Sequence, residues 1–406
     1  MTVNTFSGTF RQIFADTVEE LLGQFCTYEK LRGTEAHMAL KKSKGNVYKY
    51  LTLTEGTAQD YTQYSDMTID ATTVGADTLT LTYKPAYTFN LDMYDEMTHQ
   101  AAGSILSRQS QTAFKKMAED LEGRFFLTGV TETSVNDFDD GNIGGSDGTS
   151  ITWSTANIPK IFSEAKALVT VNSGMVSPCA MVITPSQLAE IEQSGYSNAF
   201  RNADSIFING LKVGQNGYVG HLFGVEVFFS TFLPHSYTIT YTGQPTTADP
   251  LTLNGLTYTA VGSISTVAGN FLIAGSADLT YANLVEIVNV NTTTANGVAQ
   301  SAANQRIARK LWAVQDTTND TVTVYNWGDW STAATETLDN ATIGVKTVHN
   351  YFGEFGAIEM ANPMGIQSVV REEPKQPTDN FMTFTYVGYD VPTNNLEKYI
   401  YMTVIA

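Results

Sequence analysis

The chain has 406 residues, 42% hydrophobic and 16% charged, with a formal net charge of -18. That length holds about two or three domains with substantial cores, and the acidic balance excludes tight gripping of nucleic acid through a basic face, though not a wall lying beside it. Cys26 and Cys179 are the only cysteines, without metal-ligand spacing, which fits a reducing compartment better than a disulfide scaffold. No basic start followed by an apolar run marks a signal peptide, and no apolar stretch approaches a membrane span.

Residues 1–45 read as an arm. Phe10, Ile13, Phe14, Val18, Leu21, Leu22 and Phe25 recur at helical spacing. Lys30, Arg32, Lys41, Lys42, Lys44 and Lys49 then make a basic tract. Such a tract is either a solvated charge run or a surface that docks on an acidic neighbour or on enclosed nucleic acid. Residues 46–89 read as a long hairpin. Leu79, Leu81 and Tyr83 alternate with threonines, a half-buried strand signal, and 47–53 is the expected partner. The stretch 54–77 has too few apolar residues to bury itself, so it is disordered or held by something else, such as another copy of the chain.

The longest element is a helix expected over 91–127. Asn90 is its N-cap, Asp92, Asp95 and Glu96 fill its first turns, and Gly129 is its stop. Met97, Ala101, Ile105, Ala113, Met117, Leu121 and Phe125 form one buried stripe. Between them 107–112 is polar on every side, the pattern of a helix bridging separate packing partners, or of a core helix with one exposed turn.

An Asp/Gly loop follows at 134–150 with Asp137, Asp139, Asp140 and Asp147. Gly141 stands where an EF-hand would place its third acidic ligand. Gly144-Gly145-Ser146-Asp147-Gly148 spells a nucleophile elbow, but no hydrophobic strand precedes it and no helix follows.

From 151 to 235 the pattern is compact α/β. Ile158, Ile161, Phe162, Ala165, Leu168 and Val169 mark a helix with Pro159 in its first turn. A short apolar strand at 179–184 runs into a capping box, Thr184-Pro185-Ser186-Gln187, that opens a second helix. Gly210, Gly214, Gly217, Gly220 and Gly224 punctuate short strands and fit neither a Rossmann fingerprint nor a phosphate loop.

Residues 236–352 turn rich in Thr, Asn, Ala and Gly. Strands are expected at 251–261, 270–273, 311–314 and 321–325, with a helix at 277–289 capped by Ser276. This reads as a separate small β-rich domain, after which strands resume at 354–360, 381–389 and 396–405. The histidines, His37, His99, His221, His235 and His349, are scattered without metal-ligand spacing. No catalytic, cofactor-binding or metal-binding residue is expected, and no enzyme activity.

The order of arm, long hairpin, spine helix, α/β domain, insertion and return strands resembles the major capsid proteins of tailed bacteriophages, the Hong Kong-type shell fold shared with encapsulins and herpesvirus floors. MAEDLEGRFF at 117–126 resembles the end of that family's spine helix, VITPSQL at 182–188 its strand-to-helix entry, and YVGHLFGVEV at 218–227, followed by Ser230, Leu233 and Pro234, its glycine-punctuated hairpin. The resemblance covers about 1–235 and 354–406.

It implies an α+β fold divided as N-terminal arm 1–45, extended hairpin loop 46–89, spine helix of a peripheral domain 90–130, apical domain 131–235, inserted β-rich domain 236–352, and return strands 353–406. It further implies hexamers and pentamers that tile an icosahedral shell around double-stranded DNA without sequence-specific binding. A scaffolding protein, a portal and a decoration protein are the expected partners; no membrane takes part, and assembly takes place in the host cytoplasm before the virion is released. The hairpin has no lysine between Thr54 and Thr82, so the lysine-to-asparagine cross-link of some shells is not expected through it. The arm begins almost at Met1, so a separate scaffold is expected unless a pre-domain is already removed. Two alternatives stand beside this reading: an encapsulin-like compartment, and a β-rich adhesin or glycan-binding protein suggested by 236–352.

Overall fold

The structure is a computed structural model that describes residues 18, 20–22, 25–53, 74–92, 102–132, 137–174, 177–193, 217–328, 330–372 and 378–405. A single helical turn, α1 (Tyr28–Leu31), and α2 (Glu35–Ser43) lead into β1 (Val47–Leu53). β2 (Val74–Thr80) pairs antiparallel with β1, as the alternation at 78–83 predicts; Leu79 within it and Leu81 just after it are buried. The intervening 54–73 lies outside the described residues.

The expectation for the start of the spine helix fails. Asn90 and Asp92 belong to β3 (Ala86–Asp92), where Asn90 sits opposite Asn380. Tyr87 and Phe89, with the threonine between them, give a strand alternation that a search at helical spacing passes over. The helix, α3, is described over Ala102–Thr131, and Met97 and Ala101 lie outside the described residues. Its stripe Ala113, Met117, Leu121 and Phe125 is buried as expected.

Gly129 does not stop α3. It lies within the helix, and a Cβ there would come within 2.7 Å of both Ile358 and Tyr401. The residue is small because two chains press on it, not because the backbone turns.

After β4 (Asp137–Phe138) and a short 3-10 turn, α4 (Ile158–Ser173) and β5 (Cys179–Ile183) match expectation. Both halves of the Thr184 capping box form: the Gln187 N–H donates to Thr184 Oγ1 at 3.3 Å and the Thr184 N–H to Gln187 Oε1 at 2.9 Å. They open α5 (Pro185–Gln193). β6 (Tyr218–Leu222) and β7 (Val225–Phe229) join through Phe223 and Gly224, both at positive φ, the two-residue turn that suits strand twist.

The chain continues through β8 (Pro234–Tyr241), β9 (Pro250–Leu253), β10 (Leu256–Val261), β11 (Asn270–Leu272), α6 (Ala277–Val290), α7 (Gln305–Ala308), β12 (Leu311–Asp316) and β13 (Thr321–Trp327). The single strand expected at 251–261 is a hairpin, because Asn254 and Gly255 both take positive φ. Ser276 caps α6 by accepting the Leu279 N–H. β14 (Thr335–Glu336), β15 (Ala341–Ile343), β16 (Thr347–Glu354), β17 (Glu359–Ala361), β18 (Gln367–Glu372), β19 (Thr378–Phe384), β20 (Gly388–Asp390) and β21 (Tyr399–Ile405) complete the chain.

One ten-stranded sheet organises most of this, and β16 is its seam. Along one edge β16 pairs with β21. Its other edge meets β8 at Thr347 and Val348, then β5 from Phe352 to Glu354. The main core lies between this sheet, α3 and α4, and takes in Val18 and Leu22 of the arm. Phe25 departs from the arm's expected apolar stripe: it is exposed, its ring 5.9 Å from Phe114. A second cluster gathers Tyr237, Ile239 and Tyr241 of β8 with Leu251, Tyr258, Phe271, Tyr281, Leu284 and Val324. The texture change at 236 therefore marks a second core, but not a break in the sheet. Three small sheets lie apart from the ten-stranded one: β1–β2, whose Tyr50 and Leu79 cluster with Ala36 and Leu40 of α2, and β17–β20 and β18–β19–β3, which lend Met360, Tyr389, Tyr87 and Phe89 to the main core.

Gly129→Ala is expected to destabilise the chain by about 1–3 kcal/mol through overpacking against Ile358 and Tyr401. Chemical denaturation of the variant beside the wild type checks this; an unchanged midpoint would mean that the two neighbours yield freely.

Candidate functional site

Residues 119–124 of α3, about two turns, join the arm, the main sheet and the second core. Glu122 is buried, and it faces the arm and the chain after β7. The Thr27 N–H donates to Glu122 Oε2 at 3.0 Å, the Ser230 hydroxyl donates to Oε1, and the Cys26 thiol also contributes. Burial pushes the Glu122 carboxyl up to about 7, while these donors pull it back. Burial also raises the Cys26 thiol well above its ordinary range, which leaves it a poor nucleophile.

On the opposite side, α3 meets the segment around α7 and β12. Arg309 Nη2 lies 3.0 Å from Asp120 Oδ2, and Lys310 pairs with Glu119. Burial raises the Asp120 carboxyl, against the pull of Arg309 and Arg124, and lowers the Lys310 amine. The Arg124 guanidinium stands 4.4 Å from the ring centre of Tyr83, 5.1 Å from that of Trp327 and 5.8 Å from that of Trp312. Stacking of this kind on desolvated faces is worth about 1–2 kcal/mol. Gly123 makes room for it, since a Cβ there would lie 2.7 Å from the Trp327 side chain. A cleft of about 320 Å³ opens between β3, α3 and α7. On the polar turn of α3, Gln109 accepts from the Tyr87 hydroxyl at 3.0 Å, so that turn touches β3.

The residues flagged for chemistry are not brought together. Asp139 accepts from the Gly141 and Gly148 N–H groups, and Asp140 from Ser146 N–H at 3.3 Å. The Asp/Gly loop is thus folded by its own carboxylates, and Ser146 is exposed in it. His37 accepts the Asn362 N–H, His221 lies 2.8 Å from the Tyr218 hydroxyl, and His235 lies 3.0 Å from the Leu233 carbonyl. His99 lies outside the described residues.

One pair looks catalytic at first sight. His349 Nε2 is 2.8 Å from Ser236 Oγ. Both are buried within the sheet, Nδ1 faces the Thr403 hydroxyl at 3.3 Å rather than a carboxylate, and burial lowers the imidazole to about 3. A base with that affinity for protons cannot activate serine near neutral pH. Among the described residues, no three His, Cys, Asp or Glu side chains converge to hold a metal ion, and no helix is long and apolar enough to cross a membrane. The α3 junction was not visible as such in the sequence, although Arg124 and Ser230 each stand within a quoted motif.

Glu122→Ala is expected to cost about 1–3 kcal/mol, because it strands the Thr27 and Ser230 donors. Glu122→Gln tests the charge. A carboxyl raised from 4.5 to about 7 binds more protons folded than unfolded, so its contribution to stability is full at low pH and is lost as pH rises through that interval. Melting curves from pH 5 to 8 are expected to show a shallower decline for Glu122→Gln than for the wild type; parallel profiles would refute the assignment.

No family model matches the sequence, and no curated protein does so either. Solved structures do match along nearly the whole chain. A structure titled for Mycobacterium phage Che8 aligns at 11% identity and TM-score 0.45, covering 94% of this chain and 90% of that one. The capsid of Ralstonia phage GP4 aligns at 9% identity and TM-score 0.49, covering 95% and 92%. The capsid of Cyanophage P-SCSP1u aligns at 9% identity and TM-score 0.43, covering 94% and 88%.

Proposed function

We propose that this chain is the repeating subunit of a closed icosahedral shell around double-stranded DNA, the major capsid protein of a tailed phage, with no catalytic role of its own. One observation carries the reading. The parts hung around α3 are sheets of two and three strands with apolar side chains turned outward: Val47 and Leu51 on β1, with Leu51 73% exposed, Val369 on β18 and Met382 on β19. Each sheet covers one face within the chain, as Tyr50 and Leu79 do against Ala36 and Leu40 of α2, and presents these outward apolar side chains on the other, the pattern of a surface made for a partner. Neighbouring copies would cover that face, each contact weak and the closed symmetry multiplying them. The motifs at 117–126, 182–188 and 218–234 support the same reading.

In this proposal hexamers and pentamers form with the α/β part around each capsomer centre. The ribbon β1–β2 and the arm overlap adjacent copies. A scaffolding protein guides assembly in the host cytoplasm, and a portal and a decoration protein complete the virion. The charge of -18 suits a wall that must not adhere to the DNA it contains. An adhesin built on 236–352 is disfavoured because β8 and β16 weave that stretch into the common sheet.

Co-expression with its scaffolding protein, followed by sedimentation and electron microscopy, is expected to show closed shells. Only monomers under every assembly condition would end the reading.

The second core is proposed to be an autonomous domain on the outer surface, where it does not compete with DNA for space. Because it draws on β8 and β15, the fragment that tests this spans 234–346. Calorimetry is expected to show a cooperative melt; a non-cooperative one with unprotected amides would show that this core depends on the rest of the sheet.

A further inference from the structure

Beneath the root of the hairpin lies a set of groups that neither the α3 junction nor the shell reading explains. In the ladder of β17 with β20, Glu359 stands directly opposite Asp390. Directly opposed residues share one face, with Cβ atoms about 5 Å apart, and like charges there are destabilising. No basic side chain figures among the charges that act most on the pair. Glu35 acts on Glu359, and Glu132 and Asp77 act on Asp390. Three buried oxygens in this place have no hydrogen-bonding partner: Glu359 Oε2, Asp390 Oδ2 and the Tyr50 hydroxyl. Tyr50, on β1, is only 7% exposed, and its hydroxyl lies in the field of both carboxylates. Tyr48 beside it is already engaged, donating to Glu35 at 2.8 Å.

The remaining contacts fix Glu359 in position. Its carboxylate faces the backbone amides that begin α2, whose pull opposes the effect of burial, and it lies so close over Gly33 that a Cβ there would overlap it. Asp390 is half-buried, the more exposed member of the pair.

We propose that Glu359, Asp390 and the Tyr50 hydroxyl bind a hard divalent cation of the calcium type. Two carboxylates neutralise its charge, the phenolic oxygen adds a neutral ligand, and solvent completes a shell that such ions fill with six to eight oxygens. The donors are all oxygen, which disfavours zinc and copper. The ion would reinforce the contacts that already join three parts, such as Tyr48 with Glu35 and the Gly33 N–H with the Ile358 carbonyl: the arm through α2, the hairpin through β1, and the return segment through β17 and β20. The Asp77 carboxylate on β2, which accepts the Thr393 N–H at 2.7 Å, extends that tie to the second hairpin strand. With the ion in place the hairpin is stiff at its root; without it the pair holds a proton instead. Carboxylates must be deprotonated to bind a cation, so protons compete with the ion as pH falls.

The test uses the full chain and calcium chloride or magnesium chloride as the only added ligand. At pH 8, saturating calcium is expected to raise Tm by about 5 °C over the value in EDTA, with one ion bound per chain by titration calorimetry. At pH 5 the shift is expected to vanish. Asp390→Asn and Glu359→Gln, which remove the repulsion, are expected to melt at or above the wild type in EDTA and to lose the calcium response. Asp147→Asn, in the other acid-rich loop, is expected to retain it. If either variant does not fold, the wild type alone decides: binding at pH 6.5 in buffers of different ionisation enthalpy is expected to release about one proton per ion. The proposal is overturned if the wild type shows no calcium shift at pH 8, if Asp390→Asn keeps it, if Asp147→Asn abolishes it, or if binding releases no proton.

Discussion

A carboxyl group removed from water must be surrounded by donors, and the requirement is strict because an unpaired buried charge costs several kcal/mol. Glu122 meets it with the Thr27 amide and the Ser230 hydroxyl, which lie 95 and 108 residues away along the chain. Those two contacts fix where the arm crosses α3 and where the chain leaves β7. The other face of α3 follows from that placement, because a helix turns rigidly. Once Glu122 points to the arm, Asp120 and Arg124, each two residues away and so on the far side of the helix, are committed to Arg309 and to the aromatic rings of β12 and β13. A long helix is a good part for this task. It holds its own backbone hydrogen bonds, so every side chain is free to attach something else.

What could be read in the sequence follows periodicity and local hydrogen bonding. The stripe Ala113, Met117, Leu121, Phe125, the Thr184 capping box, the Ser276 cap and the β1–β2 pairing all depend on residues close in sequence, and each is found as expected. Features decided by distant partners were not legible. Gly129 carries the same letter whether it ends a helix or lies under Tyr401. Asn90 suits an N-cap, and only its pairing with Asn380 makes it a strand residue. β16 was missed for a related reason. Thr347 to Gly353 are buried without alternation, and its polar residues are satisfied by side chains far along the chain: His349 by Ser236 and Asn350 by Gln187. A strand buried on both faces gives no period-two signal.

The α3 junction divides in the same way. Arg124 stands within the 117–126 motif, but its aromatic cage comes from Tyr83 ahead of β3, Trp312 of β12 and Trp327 of β13. The Asp/Gly loop shows the opposite error that reading by letters invites. It spells a nucleophile elbow, yet its carboxylates are consumed by the loop's own amides. Geometry separates the two cases where composition does not.

The seam at β16 bears on how force passes through such a molecule. β8 and β5 lie end to end along one edge of β16, so the second core and the α/β core hang from one backbone ladder. A load on either is carried by hydrogen bonds along the shared strand, and by the ion pairs of α3 with Arg309 and Lys310 across the gap. Two attachments of different kind resist different motions. The ladder resists sliding along the strand, and the ion pairs with the Arg124 cage resist rotation about it. A domain joined by two flexible linkers alone would resist neither. The second core is thus placed to stiffen the main sheet rather than to ride on it.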